Sequence, residues 1–278
     1  MGIVYAQFFE HPLPQANKKL TNLLLRASVV GLGFGLNANA ALQAGKEGLL
    51  LTIGSIAIVL IIGFLIGKTL KVDKVTSFLI SGGTAICGGS AIAALSPVVR
   101  AKESQISVAL GVIFILNSVA LFVFPFIGHQ LNLSQNDFGL WSAVAIHDTS
   151  SVVGAASRYG DEALVVATTV KLARTLWIIP IVILSTFIFR NKEAKIKIPY
   201  FIGFFIIAII CNTYIPGLNS FSPYLVKIAK VGLTLTLFLI GTSLSAKLIK
   251  TVGVQPIIQG LVLWVLISVG SLLAILWL

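Results

Sequence analysis

Of the chain's 278 residues, 57% are hydrophobic and only 10% charged. A soluble domain carries roughly a quarter charged residues, so the composition excludes one that covers its own core with polar surface. The net charge of +11 does not point to nucleic acid, because the Lys and Arg sit in short connections between apolar stretches instead of on one basic face.

A bilayer-spanning helix needs ~20 mostly apolar residues. In chain order, Met1–Phe9 is apolar but too short to span, and no secretory signal stands there. Seven plain spans follow: A (about 20–44), B (48–67), C (104–128), D (161–189), E (199–213), F (224–245) and G (255–277). The expectation is one all-α transmembrane domain over 1–278, a multi-pass helical bundle.

Two stretches do not read as plain spans. Val75–Arg100 is interrupted at Cys87-Gly88-Gly89-Ser90, and Phe138–Tyr159 at His147-Asp148-Thr149-Ser150-Ser151. Broken backbone at membrane depth is tolerated only where protein or a water-filled cavity covers it. Two such breaks point to a transporter binding site.

If both breaks are re-entrant hairpins from opposite sides, thirteen of the 20 Lys and Arg fall on one side: Lys18, Lys19, Lys68, Lys71, Lys74, Arg100, Lys102, Arg190, Lys192, Lys195, Lys197, Lys247 and Lys250. Only Lys46 and Arg158 fall opposite. If both span as broken helices, Arg100 and Lys102 change sides, a split the positive-inside rule favours less. Spans A and F read as distant, oppositely directed copies, and inverted repeats are a common transporter plan. Hairpins are therefore expected. Arg26, Lys227 and Lys230 lie in the outer third of their helices and can snorkel.

At the first break, paired glycines allow a turn and close backbone approach. Ser90 suits the N-cap of a half-helix Ala91–Arg100, whose free N–H groups favour an anion. The plainer reading is that Gly88 and Gly89 permit tight helix packing. At the second break, Asp148 or Thr149 can cap the following half-helix. His147 beside a carboxylate suits proton coupling, or both side chains are structural. Lys171 and Arg174, three apart, share a face of span D near its middle. Arg174 cannot lose its proton, so a carboxylate, carbonyl, water or anionic substrate must surround it, and the plainer reading is an internal ion pair with Asp148. Two cations against one acid leave surplus positive charge for an anion.

Candidate substrate-binding residues are thus Cys87, Gly88, Gly89, Ser90, Thr149, Ser150, Lys171 and Arg174, with His147 and Asp148 for proton coupling. Two cysteines, Cys87 and Cys211, build no disulfide or zinc framework. His11 and His129 lie in loops without ligand spacing, so no metal or cofactor is expected. Trp141, Trp264 and Trp277 read as interfacial anchors, and Pro125, Pro180 and Pro256 as kinks or helix starts.

These residues also carry a resemblance. Gly82-Gly83-Thr84-Ala85-Ile86-Cys87-Gly88-Gly89-Ser90-Ala91, Ala145-Ile146-His147-Asp148-Thr149-Ser150-Ser151 and Val170-Lys171-Leu172-Ala173-Arg174 resemble the signature of the YeiH-type sulfate exporter family of bacterial inner-membrane proteins. Leu239–Leu244 and Gly253–Gly260 fit as well. The resemblance implies a secondary transporter of the cell membrane with sulfate or a related sulfur oxyanion as suggested substrate. Members usually have apolar sequence before the point where this chain starts, which leaves helix count and homo-oligomer contacts open. Residues 27–128 resemble, more faintly, the bile-acid/sodium symporter plan, an analogy of fold alone. The leading expectation is an alternating-access anion transporter and not an enzyme. The alternatives are an anion channel and an intramembrane enzyme using His147 and Asp148, against which no activated nucleophile accompanies the pair.

Overall fold

The computed structural model describes residues 14–189, 200–242 and 253–277. Arg190, Lys192, Lys195, Lys197, Lys247, Lys250, His11 and the end of span F lie outside them, as does Met1–Phe9. The described residues form helices and no strands, in two compact units: 14–44 with 200–242, and 45–189 with 253–277. Among the described residues, four helical stretches are long and apolar enough to cross a membrane: Leu51–Thr69, Glu103–Gln130, Asp161–Ile188 and Val254–Trp277.

The first unit is built on α1 (Pro14–Gly33), the start of α2 (Ala38–Thr69), α10 (Tyr200–Tyr214) and α11 (Ser222–Thr242). Spans A and B were expected to part near residue 45. Instead the chain turns at residues 34–37 and one 32-residue helix absorbs the end of A and all of B. The turn is fixed by side chains: Asn212 Nδ2 donates to Leu36 O (3.0 Å) and the Ala38 amide donates to Thr213 Oγ1 (2.9 Å). Helices α1 and α11, from spans A and F, run antiparallel. Gly31 packs on Ala229, Gly35 on Val226 and Gly232 on Ser28. Small residues at these crossings let the backbones approach, the main source of helix affinity in lipid.

The second unit holds the rest of α2, α3 (Lys74–Ala85), α4 (Gly89–Leu95), α5 (Glu103–Gln130), α6 (Gln135–Ala145), α7 (Thr149–Tyr159), α8 (Asp161–Thr175), α9 (Ile178–Ile188) and α12 (Val254–Trp277). The order short helix, break, short helix, long segment therefore occurs twice. Both breaks are hairpins. A methyl on Gly83 would meet Ile92 Cδ1 at 3.1 Å and one on Gly82 would meet Leu95 Cδ1 at 2.5 Å, which a broken but continuing helix could not arrange. In the second, Phe138 at the start of α6 stacks on Tyr159 at the end of α7 (centroids 3.8 Å, planes 7° apart).

The hairpins approach from opposite ends of α5, whose 28 residues extend ~42 Å. The mouth of the first lies at the N-terminal end of α5, where Gln105 Nε2 donates to Asp73 (2.7 Å). The mouth of the second lies at the C-terminal end, where Tyr159 Oη donates to Leu133 O (2.6 Å) and Gly128 packs under both stacked rings.

Span D is not one uninterrupted helix. It is divided at Leu176 and Trp177 into α8 and α9. Pro180 has no N–H to offer Leu176 O, and the amide of Ile179 bonds that carbonyl instead (3.1 Å). Pro125 lies inside α5 and Pro256 in the first turn of α12. Two tryptophans are not interfacial anchors. Trp141 is buried against Phe124 and donates to Ser268 O (2.8 Å), and Trp264 is buried near the same Phe124. Only Trp277 is exposed.

Candidate functional site

The hairpin tips meet against the middle of α5. A methyl on Gly88 would lie 3.1 Å from Ile113 Cγ2 and 3.5 Å from both Cα and Cβ of Asp148. The next turn of α5 presents Asn117, whose Oδ1 accepts the amide of His147 (3.1 Å). One face of α5 thus touches both breaks.

Each tip has a local cause. Gly88 takes φ 64° and ψ −122°, a combination that L side chains rarely adopt. Gly88, not Ser90, is the N-cap residue, and α4 covers Gly89–Leu95 instead of 91–100. The correction is geometric: a turn this tight requires a glycine, so the helix begins before Ser90, whose hydroxyl is left exposed on its outer side. At the second tip Asp148 is the cap. Its carboxylate accepts the Ser150 amide (3.2 Å) and the Ser150 hydroxyl. Thr149, Ser150 and Ser151 are buried in the first turn that follows.

Helix α8 brings the cations. Lys171 and Arg174 are fully buried, their side chains among the largest with no exposure. Lys171 Nζ donates to Ile146 O (2.6 Å) and Ala143 O (3.2 Å), the carbonyl end of α6. A cation is favourable there because the last carbonyls of a helix are unpaired and carry partial negative charge. Arg174 Nη1 donates to Ser55 Oγ on α2 (2.8 Å), and its Nε and Nη2 have no hydrogen-bond partner among the described residues. The ion pair of Asp148 with these cations, one of the two sequence readings, is not how the groups are satisfied.

Around them, Cys87 is buried within hydrogen-bonding reach of Thr175, and Lys171 is in electrostatic range of both Cys87 and Asp148. His147 is fully buried, within electrostatic reach of Lys171 and Arg174, and neither ring nitrogen has a hydrogen-bond partner among the described residues. Asn117 Nδ2 and Thr84 Oγ1 are also buried without one. The structure therefore gathers Cys87, Gly88, His147, Asp148, Lys171 and Arg174, with Thr149 and Ser150 behind the cap, and leaves Ser90 aside. Three neighbours were not anticipated: Asn117, Ser55 and Thr175. A lone Asn inside the apolar run of span C is a signal that could have found the first. Among the described residues no group of three or more His, Cys, Asp or Glu side chains could hold a metal ion.

An all-helical, multi-pass membrane protein with two opposed hairpins meeting over a buried cationic cluster is the class that fold and site define. The chain belongs to the UPF0324 family of membrane proteins: the family model described as conserved hypothetical protein 698 matches residues 1–260. It is 55% identical over 274 residues to a UPF0324 membrane protein of Bacteroides thetaiotaomicron, covering 98% of this chain and 83% of that one. A UPF0324 membrane protein of Porphyromonas gingivalis is 53% identical, covering 99% and 85%, and one of Shewanella oneidensis 53%, covering 93% and 82%. No solved structure matches.

Proposed function

We propose that this protein is a secondary-active transporter of a small inorganic anion in the cell membrane, with sulfate or a related sulfur oxyanion as first candidate. Alternating access takes place around the two hairpin tips. The observation that carries this reading is Arg174: a fully buried guanidinium with two nitrogens, Nε and Nη2, that find no acceptor among the described residues. A charge at membrane depth costs at least ~2.5 kcal/mol when unpaired. Arg stays protonated, so the cost is removed by an acceptor. A tetrahedral oxyanion offers oxygens at the spacing a guanidinium fork matches.

The Lys171 ammonium is committed to the carbonyls that end α6, so it holds the second tip in place and adds charge from behind. His147, whose backbone amide is fixed by Asn117 at the second tip, is the residue we assign to proton coupling in this reading.

The test is purified protein reconstituted into vesicles loaded with labelled sulfate. Saturable flux with counterflow is the expected outcome. Flux that rises without saturation means a channel, and no flux of sulfate, sulfite, thiosulfate or organic sulfonates removes the transport reading and returns attention to His147 and Asp148 as an acid–base pair.

A further inference from the structure

A concave groove of about 690 Å³ lies on the second unit, away from the hairpin tips, between α2, α3 and α9. Its volume falls within the ~300–1,000 Å³ typical of ligand-sized cavities. Its floor and walls are apolar, with Ile61, Phe64, Leu65, Leu184 and Ile188 all more than half exposed. One end differs. Lys68 closes the last turn of α2, Lys71 sits in the connection at φ 55°, and Lys74 opens α3 with its ammonium 5.6 Å from the Phe189 ring centroid. All three lysines line the groove and are exposed. The neighbouring carboxylate, Asp73, is occupied by the Thr76 amide and hydroxyl (both 3.0 Å) and by Gln105 (2.7 Å).

We propose that this groove binds an anionic phospholipid, its acyl chain along α2 and α9 and its phosphate among Lys68, Lys71 and Lys74. Ordinary lipid-facing helix surface needs only to be apolar; a hollow with cations confined to one rim matches a molecule apolar along its length and negative at one end. The lysines lie at the N-terminal end of α5 with Asp73 and Gln105, the side on which most of the chain's Lys and Arg were counted. Basic residues at that depth attract acidic headgroups by about fivefold in affinity each. The Ser77 and Ser81 hydroxyls, also at the wall, are engaged with Gly63 O and Ser77 O (3.4 and 2.8 Å), so the polar recognition falls to the lysines.

The test is native mass spectrometry of the full chain in neutral detergent, titrated in parallel with phosphatidylglycerol, phosphatidylcholine and glycerol phosphate. Wild type should retain phosphatidylglycerol in preference to phosphatidylcholine and should not retain glycerol phosphate. Lys68→Gln and Lys71→Gln, made singly and together, should each weaken phosphatidylglycerol by roughly fivefold at unchanged melting temperature. Ile188→Trp, which narrows the hollow, should weaken both lipids. Equal retention of the two lipids by wild type, or an unchanged preference in the double variant, overturns the proposal. So does a dimer that Ile188→Trp dissociates, since the groove is then occupied by a second copy.

Discussion

Gly88 and Asp148 face each other with room for no more than a methyl group between them. Each stands at the tip of a separate hairpin, and a single added methyl on Gly88 would reach Asp148 Cα at 3.5 Å and Ile113 at 3.1 Å. The first expected outcome follows from that close approach and from the φ of 64°. Gly88→Ala should cost about 1–3 kcal/mol from backbone strain alone, and the side chain must also displace Ile113. A thermal melt in detergent should show the loss, with transport reduced further than stability. Gly89→Ala is the control, because a methyl there meets its nearest neighbour at 3.5 Å.

Arg174 and Lys171 should separate experimentally. Arg174→Gln removes two unpartnered donors, so it should weaken sulfate binding by about ten- to a hundredfold, as loss of charged hydrogen bonds does. Its melting temperature should stay near or above wild type. Calorimetric titration checks the affinity, and wild-type affinity in the variant would make Arg174 structural.

Lys171→Met should do the reverse. The variant leaves Ala143 O and Ile146 O without their donor, at about 1–3 kcal/mol for each carbonyl left unsatisfied. The measurement is the melting temperature, which should fall more than in Arg174→Gln.

Asp73 gives a stability dependence on pH. Burial alone would raise its pKa, but the Thr76 amide and hydroxyl, Gln105 and the Val75 amide outweigh it and hold the carboxyl below its ordinary 3.8. A depressed folded-state pKa contributes stability that is fully present above 3.8 and is lost as pH falls through the folded value. Melting temperature should therefore drop on acidification below 3.8, and Asp73→Asn, which can still cap α3, should flatten that part of the profile.

His147 addresses coupling. Transport by the wild type should depend on pH, and His147→Gln should level that dependence while sparing uptake at the favourable pH. A variant profile that follows wild type would assign the coupling to another ion.

Much of this architecture was legible because the bilayer is an unforgiving solvent. Glycine and charge inside otherwise apolar runs mark places where backbone must be covered by protein, which located both breaks; that they are hairpins was favoured by the distribution of Lys and Arg and by the opposed repeats. The Asp148 cap was legible for the same reason. Ser90 misled because Ser is an ordinary N-cap, whereas the turn's own dihedrals decided in favour of Gly88. Trp141 and Trp264 misled because indole suits both an interface and a core that offers a carbonyl, and only tertiary packing separates the two. The boundary between α1 and α2 was hidden because Asn212 and Thr213, far along the chain, fix the turn at residues 34–37. The partners of Arg174 were invisible on similar grounds: Ser55 reads in sequence as one more small residue in an apolar helix.

The grip of α5 on both tips has a consequence for biogenesis. The first hairpin is synthesised before α5 and the second after it, yet each breaks its backbone at depth and is covered by that helix. A nascent chain ending before Glu103 has no α5 against which Gly88 can settle, so the first hairpin must wait at the insertion machinery or at the membrane surface. Once α5 has crossed, the first tip can dock. The amide of His147 then finds Asn117 already in place, and the second hairpin folds back onto an existing surface from the far side. Ribosome-bound chains arrested on either side of α5 should accordingly differ in the protection of Cys87 from alkylation.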